Sequence, residues 1–106
     1  MTKYLFEANY VGEGIKGLMR EGGTKRRDAV VEALNSVDGS VDCFYYAFGD
    51  TDALGILDIP EPAGAAALSL MINSTGAVSL RLKPLMSPED LDAAAKRTPS
   101  YRAPGQ

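Results

Sequence analysis

Residues 40–59, SVDCFYYAFGDTDALGILDI, decide the fold. Ser40 to Phe48 is rich in β-branched and aromatic side chains and reads as a strand. Ala53 to Ile59 reads as a second one, and Gly49-Asp50-Thr51-Asp52 between them has the composition of a turn, so the two form a hairpin. On the first of these strands Val41, Cys43, Tyr45 and Ala47 fall on one face, and Phe44, Tyr46 and Phe48 on the other. The second is apolar on both faces, with Leu54 and Ile56 set against Ala53, Leu57 and Ile59. A sheet with one wet face alternates more cleanly. Both faces are therefore expected to be covered, one by helices and the other by a second copy of the chain.

Outward from the hairpin, the alternation of residues 3–11 (KYLFEANYV) predicts a strand with Tyr4, Phe6, Ala8 and Tyr10 on one face and Leu5, Glu7, Asn9 and Val11 on the other. Gly12, Gly14 and Gly17 punctuate a loose connection, and Gly22-Gly23 breaks any helix begun at Ile15, Leu18 and Met19. Thr24 is the expected N-cap of a helix over 25–37, whose stripe is Val30, Ala33, Leu34 and Val37, and Gly39 is its expected left-handed C-cap. Pro60 and Pro62 open a helix over about 63–73. Residues 77–82 (AVSLRL) read as a last strand, with Val78, Leu80 and Leu82 opposite Ser79, Arg81 and Lys83. Ser87-Pro88-Glu89-Asp90 starts a short helix to about Lys96. The order is β-α-β-β-α-β plus a terminal helix. The expected class is α+β, a ferredoxin-like split βαβ fold with a four-stranded antiparallel sheet and a short C-terminal helix. It makes one domain over 1–97, with an extended tail over 98–106.

The 106 residues fit a single domain, and the 45% hydrophobic and 24% charged content is that of a globular chain. The net charge is −3, and the one basic cluster, Lys25-Arg26-Arg27, runs straight into Asp28. A nucleic-acid partner needs a clustered positive surface, so none is expected. With no histidine and a single cysteine, Cys43, the chain lacks the usual zinc and haem ligand, the usual general base, and a disulfide. No metal and no cofactor are expected. No targeting segment is read, and 63–72 is too short and too interrupted to cross a bilayer. A cytoplasmic location with no membrane partner follows as the expectation.

Gly49-Asp50-Thr51-Asp52 followed by ALGILDIPE resembles the Gly-x-Tyr-Asp turn, strand and Pro-acid step of the GYD domain family. Tyr4, Tyr10 with Gly14, Arg27, Gly39 and Gly76-Ala77-Val78 match the same pattern, and PLMSPEDLDAAAKRTPSYRAPG resembles the tail of one subgroup. The namesake tyrosine is Thr51 here. The resemblance implies a ferredoxin-like fold that dimerises sheet to sheet, as dimeric α+β barrels do. Relatives by fold include cofactor-free monooxygenases, isomerase-like proteins, haem-dependent enzymes and ligand sensors, and fold does not choose among them.

The candidate chemistry is sparse. Glu7 and Asp58 are acids in apolar strands, where a dry groove raises a carboxylate's pKa and makes it a base; pairing with Arg81 or Lys83 is the structural alternative. Tyr10 is a candidate acid in a site without histidine. Asn9, Arg27, Tyr46 and Arg81 are candidate ligand-binding residues, and Glu7, Asn9 and Arg81 converge if their faces line one chamber. Arg27 has a bland alternative, a surface ion pair with Asp28 or Glu32. Asp50 and Asp52 read as turn residues that accept backbone N–H groups, Cys43 as an inert thiol, and Met19, Met71 and Met86 as core or interface filler. The preferred reading is a dimeric small-ligand-binding or accessory protein that holds a small organic molecule. The alternative is a cofactor-independent monooxygenase- or isomerase-like enzyme. A purely structural interaction module is the third.

Overall fold

The computed structural model describes residues 2–47 and 49–106. Phe48, read above as the end of a strand, lies outside the described residues. The element order is β1 (Thr2–Tyr10), α1 (Glu13–Glu21), α2 (Gly23–Asn35), β2 (Ser40–Tyr46), β3 (Ala53–Ile59), α3 (Pro62–Ser74), β4 (Val78–Pro84) and α4 (Pro88–Ala95). The chain is thus α+β, with a four-stranded sheet in the order β2-β3-β1-β4, and every neighbouring pair is antiparallel.

The strict alternation of β1 and β3 sorts the sheet into two faces. Tyr4, Phe6 and Ala8 stand opposite Leu57, Gly55 and Ala53, and these apolar side chains are buried. Helices α2 and α3 cover this core face through Leu34, Ala65 and Leu68, and β4 adds Leu80. Burying each of these leucines is worth about 1.5–3 kcal/mol, the term that holds helices on a sheet. The outer face carries Lys3, Leu5, Glu7 and Asn9 of β1, Leu54, Ile56 and Asp58 of β3, and Arg81 and Lys83 of β4.

Four local features depart from the sequence reading. Helix α1 forms where a loose connection was expected. It is bracketed by Gly12 and Gly22 in left-handed backbone, at φ 52° and 84°. Its Gly14 sits so close to the start of β4 that a Cβ would lie 2.0 Å from the Ala77 carbonyl oxygen. Tertiary seating therefore offsets the low helix propensity of its glycines. Helix α2 starts at Gly23 with Gly22 as its cap residue, not at Thr24. Its exit uses Asp38 as the left-handed residue, at φ 58°, a conformation Asp tolerates better than most. Gly39 is required for a different reason: a Cβ there would stand 2.9 Å from the Asp58 carbonyl oxygen. Finally, the β2–β3 register shifts between Val41 and Cys43. This bulge turns Val41 to the core face with Phe44, where it packs against the core, and leaves Cys43 and Tyr45 opposite Ile56 and Leu54 on the outer face.

Helix α4 begins with a reciprocal capping box. The Asp90 N–H donates to Ser87 Oγ at 3.0 Å and the Ser87 N–H to Asp90 Oδ2 at 3.2 Å. Every residue of this helix and of the chain beyond it is exposed, so it projects as an arm.

Two substitutions in α1 separate seating from propensity. Gly14→Ala should destabilise the fold by about 1–3 kcal/mol, because the clash is with backbone. Gly17→Ala, with nothing within 4 Å of the added Cβ, should stabilise it by about 0.5–1 kcal/mol. Urea unfolding midpoints of the two variants and the parent check both signs.

Candidate functional site

The sheet presents candidate side chains on both of its faces. On the outer face, antiparallel register puts Arg81 directly opposite Glu7, and Ser79 opposite Asn9. The Lys83 ammonium lies 2.7 Å from Glu7 Oε1, and the Thr51 hydroxyl donates to Glu7 Oε2 at 3.3 Å. Arg81 Nη2 donates to Asn9 Oδ1 at 3.3 Å, while Asn9 Nδ2 donates to the Asp50 carbonyl at 2.8 Å. Glu7, Asn9 and Arg81 are thus brought together, and Thr51, at the namesake position, reaches the same carboxylate.

The electrostatics of this cluster run against a base. The Lys83 ammonium holds the Glu7 carboxyl below its ordinary value of 4.5, outweighing the opposing push of burial, with Thr51 and Arg81 adding to the drop. The raised pKa expected from a dry groove is not found, because register delivers two cations to that carboxylate. At the far end of the face Lys3 bridges Asp42 and Asp58, 3.1 Å from Asp58 Oδ2. This pairing raises the Lys3 ammonium above 10.5, the Asp42 hydrogen bond first and the Asp58 bond next. Asp58 keeps one buried oxygen, Oδ1, without a hydrogen-bond partner among the described residues.

The core face holds a cavity of about 110 Å³, and its cause is readable in side-chain volumes. Ala8 pairs with Ala53 in the sheet, and Ala29 and Ala33 of α2 complete the lining with Phe6, Phe44 and other apolar groups. Four methyl groups face one another where larger side chains would meet. At one end the cavity reaches Tyr10, Val78 and Arg26, and these three also border a second hollow of about 170 Å³ against α1. Tyr10 is fixed by its backbone, whose N–H donates to Asp52 Oδ2 at 2.9 Å. Asp52 thus accepts a backbone N–H, as read, but from β1 and not from within its own turn.

The other candidates fall outside this cavity. The Tyr46 hydroxyl donates to the Gly23 carbonyl at 2.8 Å and ties β2 to the start of α2. Burial pushes that hydroxyl up to about 12, with the neighbouring Tyr10 adding to the shift, so Tyr46 stays a protonated strut at neutral pH. Arg27 pairs with Asp28 at 3.2 Å, both side chains half exposed or more, which is the surface alternative. Met19, Met71 and Met86 are all exposed and fill no part of the core. Among the described residues no three His, Cys, Asp or Glu side chains group closely enough to hold a metal ion, and no helix is long and apolar enough to cross a membrane. Arg26 is the residue the sequence reading passed over. It precedes Val30 by four positions and so extends the apolar stripe of α2 by one turn, which is a spacing signal.

The family model of the GYD domain matches residues 4–95. The chain belongs to the GYD domain family. The match runs from the first core tyrosine of the GYD domain to the last residue of α4, so that helix is part of the matched unit. Neither curated proteins nor solved structures give a match.

The lowered Glu7 pKa fixes the sign of a pH effect. A carboxyl depressed on folding contributes stability that is full above its unfolded value near 4.5 and lost as pH falls through the folded value. Lys83→Met should return the Glu7 side-chain carbon titration toward 4.5, and it should lower stability at pH 7 but not once both states are protonated in acid. Carboxyl-carbon NMR and urea unfolding at the two pH values check this.

Proposed function

We propose that this GYD-domain protein is a small cytoplasmic ligand-binding or accessory protein that works as a homodimer, each subunit holding a small organic molecule between its sheet and its helices. The observation that carries the reading is the apolar cavity of about 110 Å³ between sheet, α2 and α3. Pockets for small molecules are concave and mostly apolar, with few polar groups placed at one side, and here Tyr10 and Arg26 supply those groups.

A ferredoxin-like subunit is the finer description we favour. It is supported by two crossovers of the same kind. The chain from β1 to β2 returns with β3 between them, and the chain from β3 to β4 returns with β1 between them. That is the arrangement of a split βαβ unit used twice. The dimer is supported by the outer face, where Leu5, Leu54, Ile56 and Cys43 stay partly exposed and Tyr45 is 66% exposed. These residues form one contiguous patch by register, and contiguous exposed apolar surface marks association.

A second reading, a cofactor-independent monooxygenase- or isomerase-like enzyme, is favoured by one observation: Tyr10 borders the cavity. Its hydroxyl would be the acid. Glu7 and Asp58 stand on the opposite face of the sheet from the cavity, so neither serves as the base for a molecule bound there.

Two experiments test the preferred reading. Ile56→Glu places a carboxylate from each subunit in the proposed apolar interface, at a cost on the order of several kcal/mol. Sedimentation equilibrium should find the parent dimeric and the variant monomeric, with circular dichroism unchanged; a monomeric parent removes the dimer. Ala33→Leu should fill the cavity, abolish retention of small molecules in native mass spectrometry, and raise stability by about 0.5–2 kcal/mol.

A further inference from the structure

We propose that Arg26 makes the internal cavity a receptor for small apolar molecules bearing a single carboxylate, with the apolar part among Ala29, Ala33 and Phe44 and the carboxylate on the guanidinium. This rests on the ligand-binding reading of the cavity and names the class of its ligand.

Arg26 is the charged residue in the cavity lining. Its side chain is 30% exposed, and its nearest carboxylate, Glu21 Oε2 on α1, is 3.7 Å from Nη1, too far for a hydrogen bond. Among the described residues no side-chain hydrogen bond leaves this guanidinium, whereas Arg27 donates to Asp28 and Arg81 to Asn9. A guanidinium carries five donors in a fixed planar fork. One that lines an apolar cavity, stays open to solvent and has no protein acceptor among the described residues within hydrogen-bond reach favours an anion, and a carboxylate fits the fork with two parallel bonds. The Tyr10 side chain borders the same end of the cavity and offers a hydroxyl.

Other charges near this end do not supply the missing acceptor. Glu13 borders the neighbouring hollow, but it is paired with Lys16 at 3.2 Å. Glu21, on α1, is the loose partner that an incoming carboxylate would replace.

Size limits the apolar part. A dry engineered cavity of about 150 Å³ takes up benzene, so about 110 Å³ suits a branched chain or small ring of about four to six carbons. Tyr10, Arg26 and Val78 border both the cavity and the hollow against α1. A ligand seated with its chain inward therefore has its carboxylate at that boundary, beside the guanidinium.

The test is a ¹H–¹⁵N NMR titration of the full chain with 3-methylbutanoate and benzoate, each paired with its uncharged amide. The acids should bind at least tenfold more tightly than the amides, with shifts centred on Ala29, Ala33 and Val78. Arg26→Gln should weaken the acids roughly tenfold or more, as loss of a charge-assisted bond does, and leave the amides unchanged; Arg27→Gln should change neither. Equal binding of acids and amides by the parent protein overturns the role of Arg26 while the cavity reading stands, and it needs no variant to fold. Binding of no probe at all overturns both.

Discussion

The pairing of β1 with β3 is the interaction on which the remaining features hang. These two strands are central in the sheet, and their register sets Ala8 against Ala53, Phe6 against Gly55 and Tyr4 against Leu57 on one side. The absent side chain of Gly55 is what admits the aromatic neighbours. A Cβ there would come within 2.6 Å of the Phe6 ring and 2.1 Å of the Cys43 carbonyl oxygen. Phe6 and Phe44 then pack at 5.2 Å between ring centroids, within the range where aromatic pairs attract. Slipping β1 by one residue against β3 would send Lys3 and Glu7 into the core in place of Tyr4, Phe6 and Ala8, a cost no small domain tolerates.

The same register divides the chemistry. Charged groups pair with one another on the outer face, where Glu7 answers Lys83 and Lys3 answers Asp42 and Asp58. The core face is left to apolar side chains, with Arg26 and the two tyrosines at its edge. Polar groups that satisfy each other hold a surface together, and a group left without an acceptor invites a ligand. The ion pairs of the outer cluster make it structural in the main, although Asp58 Oδ1 stays unpartnered among the described residues and the cluster contains most of the residues that chemistry alone would pick out.

Much of the fold could be read from alternation alone. β1 and β4 keep an unbroken period of two, so alternation groups Tyr4, Phe6 and Ala8 apart from Glu7 and Asn9, and Leu80 apart from Arg81, while bringing Glu7, Asn9 and Arg81 to one face needs the strand pairing. Where the period breaks without a marker, reading fails: the bulge beside Asp42 carries no glycine or proline, and Val41 was put on the wrong side. Helix α1 was missed because Gly14 and Gly17 disfavour a helix locally, and the contact with Ala77 that compensates is distant in sequence. The direction of the Glu7 shift could not be read either, since Lys83 becomes its neighbour only through pairing. Arg26 was legible in principle, four residues before Val30, but one basic residue among three in a row gives little reason to choose it over Arg27.

The arm formed by α4 and the residues after it governs how large this protein looks. The chain has a radius of gyration of 16.8 Å and a longest dimension of 54 Å, against roughly 13 Å expected for a compact domain of this length. A radius of 16.8 Å belongs to a compact protein of roughly 210 residues, about two copies of this one. A lone chain with its arm extended therefore leaves a sizing column ahead of a rounded chain of its own mass, toward the position of a pair, and a measurement of mass distinguishes the two.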